Sequence, residues 1–246
     1  MEELMPHLKL KKSDSAVYAI LPGDPARVDR IAEVLDDTKE LAFNREFRSV
    51  KGTYKGIQVL AVSTGIGGAS TAIAVEELAR IGVKVMIRIG SCGALQPDIR
   101  LGDLILASGT VRDDGASASY AKPIYPAVPD TKLLFECIRA AENEKAACHV
   151  GITRSHDSFY IDEEEEVSKY WSERGVLGAD METAALFVIG GLRGVKTASI
   201  LNTVVESEDK LEDHINDYTS GDQKMMHGEK LEILTALNAF VSYDQL

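Results

Sequence analysis

Short apolar runs alternate along the chain with stretches whose apolar residues recur at helical spacing, a pattern that predicts strands and helices in turn. The run 16–21 breaks at Pro22-Gly23-Asp24-Pro25. Helical spacing then resumes over 26–35, with Asp24 placed to cap that helix and Pro25 in its first turn. Strands are expected over 42–50 and 57–62 with Lys55-Gly56 as the turn between them, so that Arg45, Glu46, Phe47 and Arg48 alternate across the first. The glycine-rich stretch 63–70 leads into a helix ending near residue 81. Residues 83–87 begin a buried strand that ends in small residues at Gly90-Ser91-Cys92-Gly93-Ala94.

The alternation continues in the second half. A strand over 103–111, a long loop over 112–130, a helix over 131–143, an extended segment 149–153 and an acidic helix 162–174 follow in order. A loop of that length usually has a function. A helix opens at Ala179-Asp180-Met181-Glu182 and runs to about residue 192, and 197–205 is a buried strand. Residues 206–221 are polar and read as mobile, and 224–241 closes the chain as an amphipathic helix. No repeat or linker divides residues 1–246, so the pattern predicts one α/β domain with a central mixed β-sheet flanked by helices.

Composition narrows the function. A chain of 246 residues buries roughly three quarters of its unfolded surface, enough for a closed core with a pocket. The net charge of −12 excludes nucleic acid as a partner, since the densest basic stretch is only Lys9-Leu10-Lys11-Lys12. The three cysteines show no metal spacing and suit a reducing compartment. Cys92 reads as a small packing residue or a nucleophile, and nothing in the sequence activates it. Residues 1–12 lack the apolar core of a signal peptide, and no segment reaches the roughly 18 apolar residues of a membrane span, so a cytoplasmic protein with no membrane contact is expected.

The candidate chemistry centres on anions. Arg88 closes a buried strand and requires an anionic partner: either a small ligand approached through Gly90, Ser91 and Gly93, or a carboxylate at a strand corner. Arg27 lies in a first helical turn, where a cation opposes the helix dipole, and reads as anion-binding or as an ordinary solvated arginine. The stretch 63–70 fits neither the nucleotide-triphosphate loop nor the dinucleotide fingerprint. Asp180 can cap its helix, while Glu182 just inside can accept hydrogen bonds from a polyhydroxylated ligand. The acidic run 163–166 reads as a solvated helix start.

Six ordered motifs make the whole chain resemble the hexamer-forming branch of the nucleoside phosphorylases. They are Pro22-Gly23-Asp24-Pro25-x-Arg27, Asn44-Arg45-Glu46-Phe47, Ser63-Thr64-Gly65-Ile66-Gly67-Gly68, Arg88-Ile89-Gly90-Ser91-Cys92-Gly93-Ala94, Asp157-Ser158-Phe159-Tyr160 and Met181-Glu182-x-Ala184. The resemblance implies phosphorolysis of a nucleoside to free base and ribose 1-phosphate, with inorganic phosphate as co-substrate and no metal or organic cofactor. It implies that Gly23, Arg27, Arg88 and Ser91 bind phosphate, joined by Arg45 of a neighbouring subunit. The nucleoside would meet Ser91, Cys92, Gly93, Phe159, Asp180, Met181 and Glu182, with His7 reaching a neighbour's ribose. Arg88 and Glu182 would be catalytic. A homo-oligomer follows, a hexamer built as a trimer of dimers, with a monovalent cation at Glu46, Ile66 and Ser70 a further feature of some members.

Both base-reading signatures depart from the family pattern. The Gln and Arg that read uracil are replaced by Glu163 and Glu165, and Val205 stands where purine-active members carry an Asp that protonates N7. Glu206 is the nearest replacement acid, with Glu208 and Asp209 beyond it. The expectation is a purine or mixed-specificity phosphorylase; the alternatives are a uridine phosphorylase with an altered uracil site, a non-catalytic nucleoside- and phosphate-binding homologue, and a water-using nucleosidase, which would have no use for the arginines.

Overall fold

The structure is a computed structural model, and it describes residues 2–207 and 223–245. Strands β1 (Tyr18–Leu21), β4 (Ile57–Val62), β5 (Val85–Ala94) and β9 (Lys196–Val205) form the buried centre of a mixed sheet. The sheet adds β2 (Asp36–Asn44), β3 (Phe47–Tyr54), β6 (Leu104–Asp113), β7 (Cys148–His156) and β8 (Gly178–Asp180). Its order is β2-β3-β4-β1-β5-β8-β7-β6-β9, and β9 pairs again with β5, so β5, β8, β7, β6 and β9 close into a ring.

Alternation along the strands divides the core into two faces. Ala19 and Leu21 of β1, Leu60 and Val62 of β4, and Met86 of β5 pack on α2 (Gly68–Ile81) and α6 (Thr183–Leu192). Their neighbours Tyr18, Ile20, Val59, Ala61, Ile87 and Ile89 face α1 (Pro25–Ala32), α4 (Thr131–Asn143) and α7 (Gln223–Asp244). The single α/β domain with a mixed sheet between helices is therefore as expected. Among the described residues no helix is long and apolar enough to cross a membrane.

Four local expectations need correction. Residues 36–41, too polar to read as a strand, form β2 together with 42–44; it lies at the sheet edge, where most of its side chains meet solvent. Arg45 and Glu46 accordingly form the turn between β2 and β3, with Arg45 at φ 57, and do not alternate along a strand. Arg88 does not close its strand: β5 runs on through the small residues to Ala94 because β8 and β9 pair with that half. The segment 179–180 belongs to β8, and α6 starts only at Thr183. Within the long loop, Asp114 caps a short helix, α3 (Gly115–Tyr120), through Ser117 N at 2.6 Å. The stretch read as mobile lies outside the described residues from 208 onward.

Candidate active site

A cleft of about 1530 Å³ opens where β1 and β5 end, between the 63–70 loop, the start of α6 and α5 (Glu164–Ser172). Gly23, Arg27, Arg88, Ser91, Cys92 and Gly93 line it, together with Phe159, Asp180, Met181, Glu182 and Glu206.

Arg27 and Arg88 both line the cleft. The β1 to α1 turn is fixed by Asp24, which accepts from Ala26 N at 2.9 Å, and this places Arg27 in the first helical turn with only 2 % exposure. The Arg27 guanidinium meets Glu229 at 2.9 Å through Nε, Glu232 at 3.1 Å through Nη1 and Ser91 Oγ at 3.3 Å through Nη2. Arg88 folds back over Gly90, where any Cβ would collide with the guanidinium, which is why the strand carries a glycine at this position. Its Nε donates to Asp180 Oδ2 at 3.0 Å and its Nη2 pairs with Glu182 Oε2 at 2.6 Å. Burial would lower the affinity of Arg88 for its proton, but Glu182 and Asp180 outweigh it and raise the pKa above the ordinary arginine value. The partner the sequence demanded for Arg88 is thus a pair of buried carboxylates.

Asp180 is fully engaged. It accepts from Ser155 Oγ at 2.5 Å, from Thr183 N at 2.9 Å and from Thr183 Oγ1 at 2.6 Å, and so caps α6 while it orients Arg88. Glu182 accepts from Gly67 N at 2.6 Å and is 6 % exposed. Burial raises its pKa, opposed by Arg88 and assisted by Asp180. Cys92 is buried at 3.9 Å from Thr203 Oγ1, and burial pushes its thiol up to about 12, so at neutral pH it is a packing group without thiolate character.

Arg45 and His7 do not line the cleft of their own chain. Arg45 is exposed at its turn, and His7 is held through Nδ1 at 2.7 Å from Glu77, whose carboxylate also accepts from Leu8 N at 2.8 Å. Glu206 lies at the cleft edge with its carboxylate turned to Leu101 N and Arg100 Nη1, each at 3.0 Å. Those contacts, the Leu101 N–H first, lower its pKa. Glu208 and Asp209 lie outside the described residues. Glu46 accepts from Ser70 Oγ at 2.8 Å; Ile66 stands beside them on the cleft rim. Among the described residues no three His, Cys, Asp or Glu side chains converge as a metal site.

Sequence reasoning missed Glu229 and Glu232, which lie unremarked within the closing amphipathic helix. The signal was present: Met225, Glu229, Glu232 and Ala236 fall at spacings of three and four, on the face that is buried. It also missed Glu164, Ser168 and Lys169, which stand beside Glu165 on the cleft-lining side of α5.

Residues 17–231 match the phosphorylase superfamily. A guanosine phosphorylase of Halorubrum lacusprofundi is 43% identical over 195 residues, 79% of this chain and 80% of that protein. The crystal structure of uridine phosphorylase from Vibrio fischeri ES114 superposes with a TM-score of 0.91 at 45% identity, covering 97% of each chain. Purine nucleoside phosphorylase from Toxoplasma gondii, in complex with immucillin-H, gives a TM-score of 0.91 at 29% identity over 100% of this chain and 98% of that one. The chain belongs to the phosphorylase superfamily. Within it, the chain is an enzyme of the nucleoside phosphorylase type, a pentosyltransferase.

Proposed function

We propose that the enzyme carries out phosphorolysis of nucleosides, favours purines, and among them favours guanosine. Phosphate sits between Gly23, Arg27, Arg88 and Ser91, ribose lies against Met181 and Glu182, and Phe159 packs along base and sugar. Positive charge develops on the ribose as the glycosidic bond breaks, and the phosphate already held below it stabilises that charge without reorganisation.

The observation that supports the base preference is Glu164. Its Oε1 accepts from Ser168 Oγ at 2.9 Å, while its Oε2 is buried in the cleft wall with no hydrogen-bond donor. A carboxylate in that position asks for N–H groups. Guanine offers two adjacent donors, N1–H and the 2-amino group; uracil offers one N–H between two carbonyls that a carboxylate repels. Lys169 on the same helix can donate to the 6-oxo group. A donor left unmade costs about 1 to 3 kcal/mol, or about fivefold to 150-fold. The guanosine-active relative agrees with this reading, and the uridine-active one supports the alternative of a uridine phosphorylase with an altered uracil site.

The working unit is proposed to be an oligomer in the cytoplasm, a hexamer arranged as a trimer of dimers. Arg45 and His7 turn away from their own cleft, and the apolar side chains of Phe43 and Ile66 are exposed around the Arg45 turn, which suits a covering neighbour.

Turnover of guanosine, inosine, adenosine, uridine and thymidine, with and without phosphate, tests the proposal. Phosphate-dependent kcat/KM should be highest for guanosine and then inosine. Uridine exceeding guanosine tenfold would favour the alternative; turnover without phosphate would indicate a nucleosidase; nucleoside binding without turnover, a binding homologue.

A further inference from the structure

We infer that inorganic phosphate enters the clamp of Arg27 and Arg88 together with a proton, and that Glu232 receives it. The inference rests on the phosphate site proposed above. Among the described residues, the guanidiniums of Arg27 and Arg88 at the cleft and of Arg30 behind them pair with five carboxylates, those of Asp24, Glu229, Glu232, Asp180 and Glu182. The clamp is therefore not an unopposed cationic hole. A phosphate dianion added to it meets a cluster whose positive charge is already matched, and one carboxylate must give up its charge.

Glu232 is the carboxylate placed to do so. It is fully buried on α7, and Gly228 one turn earlier lets that helix approach where a Cβ would collide with Asn202 Oδ1 and the Gly102 backbone. Its Oε2 accepts from Gly90 N at 3.1 Å, on the strand that carries Arg88. Its Oε1 lies 3.1 Å from Arg27 Nη1 as an ion pair without hydrogen-bond alignment, so this buried oxygen has no donor and a lone pair on which a proton can sit. The groups that set its charge are Arg27 of α1 and Arg88 of β5, which favour the carboxylate, Glu229 one turn away on α7, which opposes it, and the Gly90 N–H. Cys92 of β5, neutral at these pH values, also stands near. By contrast Glu229 is shared between Arg27 and Arg30, and Asp180 is saturated with donors. Burial above all raises the Glu232 pKa to about 8, close enough to neutrality for a nearby anion to complete the titration. The proton comes from the buffered solvent: the O–H or N–H bond of the buffer acid breaks, one O–H bond forms on the carboxylate, and the buffer base carries the electron pair away.

Titration calorimetry of the intact oligomer with inorganic phosphate alone, at pH 8.5 in two buffers of different ionisation enthalpy, counts the protons taken up. With a starting pKa of about 8 the expected uptake is about three quarters of a proton per site, and phosphate affinity should fall roughly tenfold from pH 8.5 to 9.5. Glu232→Gln should bring the uptake close to zero and flatten that pH dependence, while Glu229→Gln, which removes a charge that raises the Glu232 pKa, should keep a pH-dependent uptake with its midpoint moved to lower pH. Wild-type uptake below about 0.2 proton, or uptake that survives in Glu232→Gln, overturns the inference. If Glu232→Gln does not fold, Glu232→Asp replaces it: a shifted midpoint supports the assignment, and an unchanged profile overturns it. Phosphate that binds without proton uptake removes this inference alone; phosphate that does not bind removes the proposed site as well.

Discussion

The carboxylate of Glu182 meets the Arg88 guanidinium at 2.6 Å, so the side chain proposed to hold ribose and the one proposed to hold phosphate form one charged unit. Arg88→Ala should lower kcat/KM by about 30-fold to 1000-fold, equivalent to roughly 2 to 4 kcal/mol of transition-state stabilisation. Glu182 would be left buried without its cation, so the double variant with Glu182→Ala should lose much less than the product of the two single losses. Additive losses would show that the two residues act independently.

Gly90→Ala tests the same unit from the backbone. The added methyl occupies the space of the Arg88 guanidinium. The variant is expected to fold, with a raised phosphate KM and a nucleoside KM changed much less. A phosphate KM equal to wild type would separate Arg88 from phosphate.

Glu182→Ala should cost more with ribonucleosides than with 2′-deoxyribonucleosides, because the lost acceptor is proposed to serve ribose hydroxyls. Equal losses on guanosine and 2′-deoxyguanosine would count against that role.

Arg45→Ala and His7→Ala should each lower activity without altering the fold, and activity should follow the oligomer on dilution. Full activity in a protein shown by sedimentation to be monomeric at assay concentration would contradict the shared site.

Glu206 is held ionised by Leu101 N–H and Arg100, the opposite of what a proton donor at neutral pH requires. Glu206→Gln is therefore expected to change inosine and 7-methylguanosine turnover by the same factor, within about twofold. A loss confined to inosine would mean that the side chain leaves Arg100 and protonates the purine.

Much of this arrangement was legible in the sequence as unmet demand. Arg27 and Arg88 each called for an anion, and the apolar periodicity placed most of the strands and helices. What was missing depended on tertiary position. Strand β2 carries the polar side chains of an exposed edge, and β8 is only three residues long and takes its place from pairing with β5 and β7. Without β8 the meeting of Asp180 with Arg88 cannot be foreseen. Glu229 and Glu232 were hidden for a related reason: an acidic residue on a helix reads as solvated until the arginine that neutralises it is known to lie beneath.

The closed ring of β5, β8, β7, β6 and β9 sets the order in which the two halves of the cleft can open. Residues 88–93 of β5 pair with β9 along their length, Arg88 also with β1 and Gly93 also with β8, and these buried amides are expected to exchange with solvent only when the ring itself breaks, near the global unfolding limit. The turn bearing Arg45 joins an exposed edge hairpin and opens in local fluctuations far below that limit. With the clamp shared as proposed, one half comes from the last structure to melt and the other from a neighbour's edge hairpin, and the enzyme should lose catalysis on warming well before it loses its core.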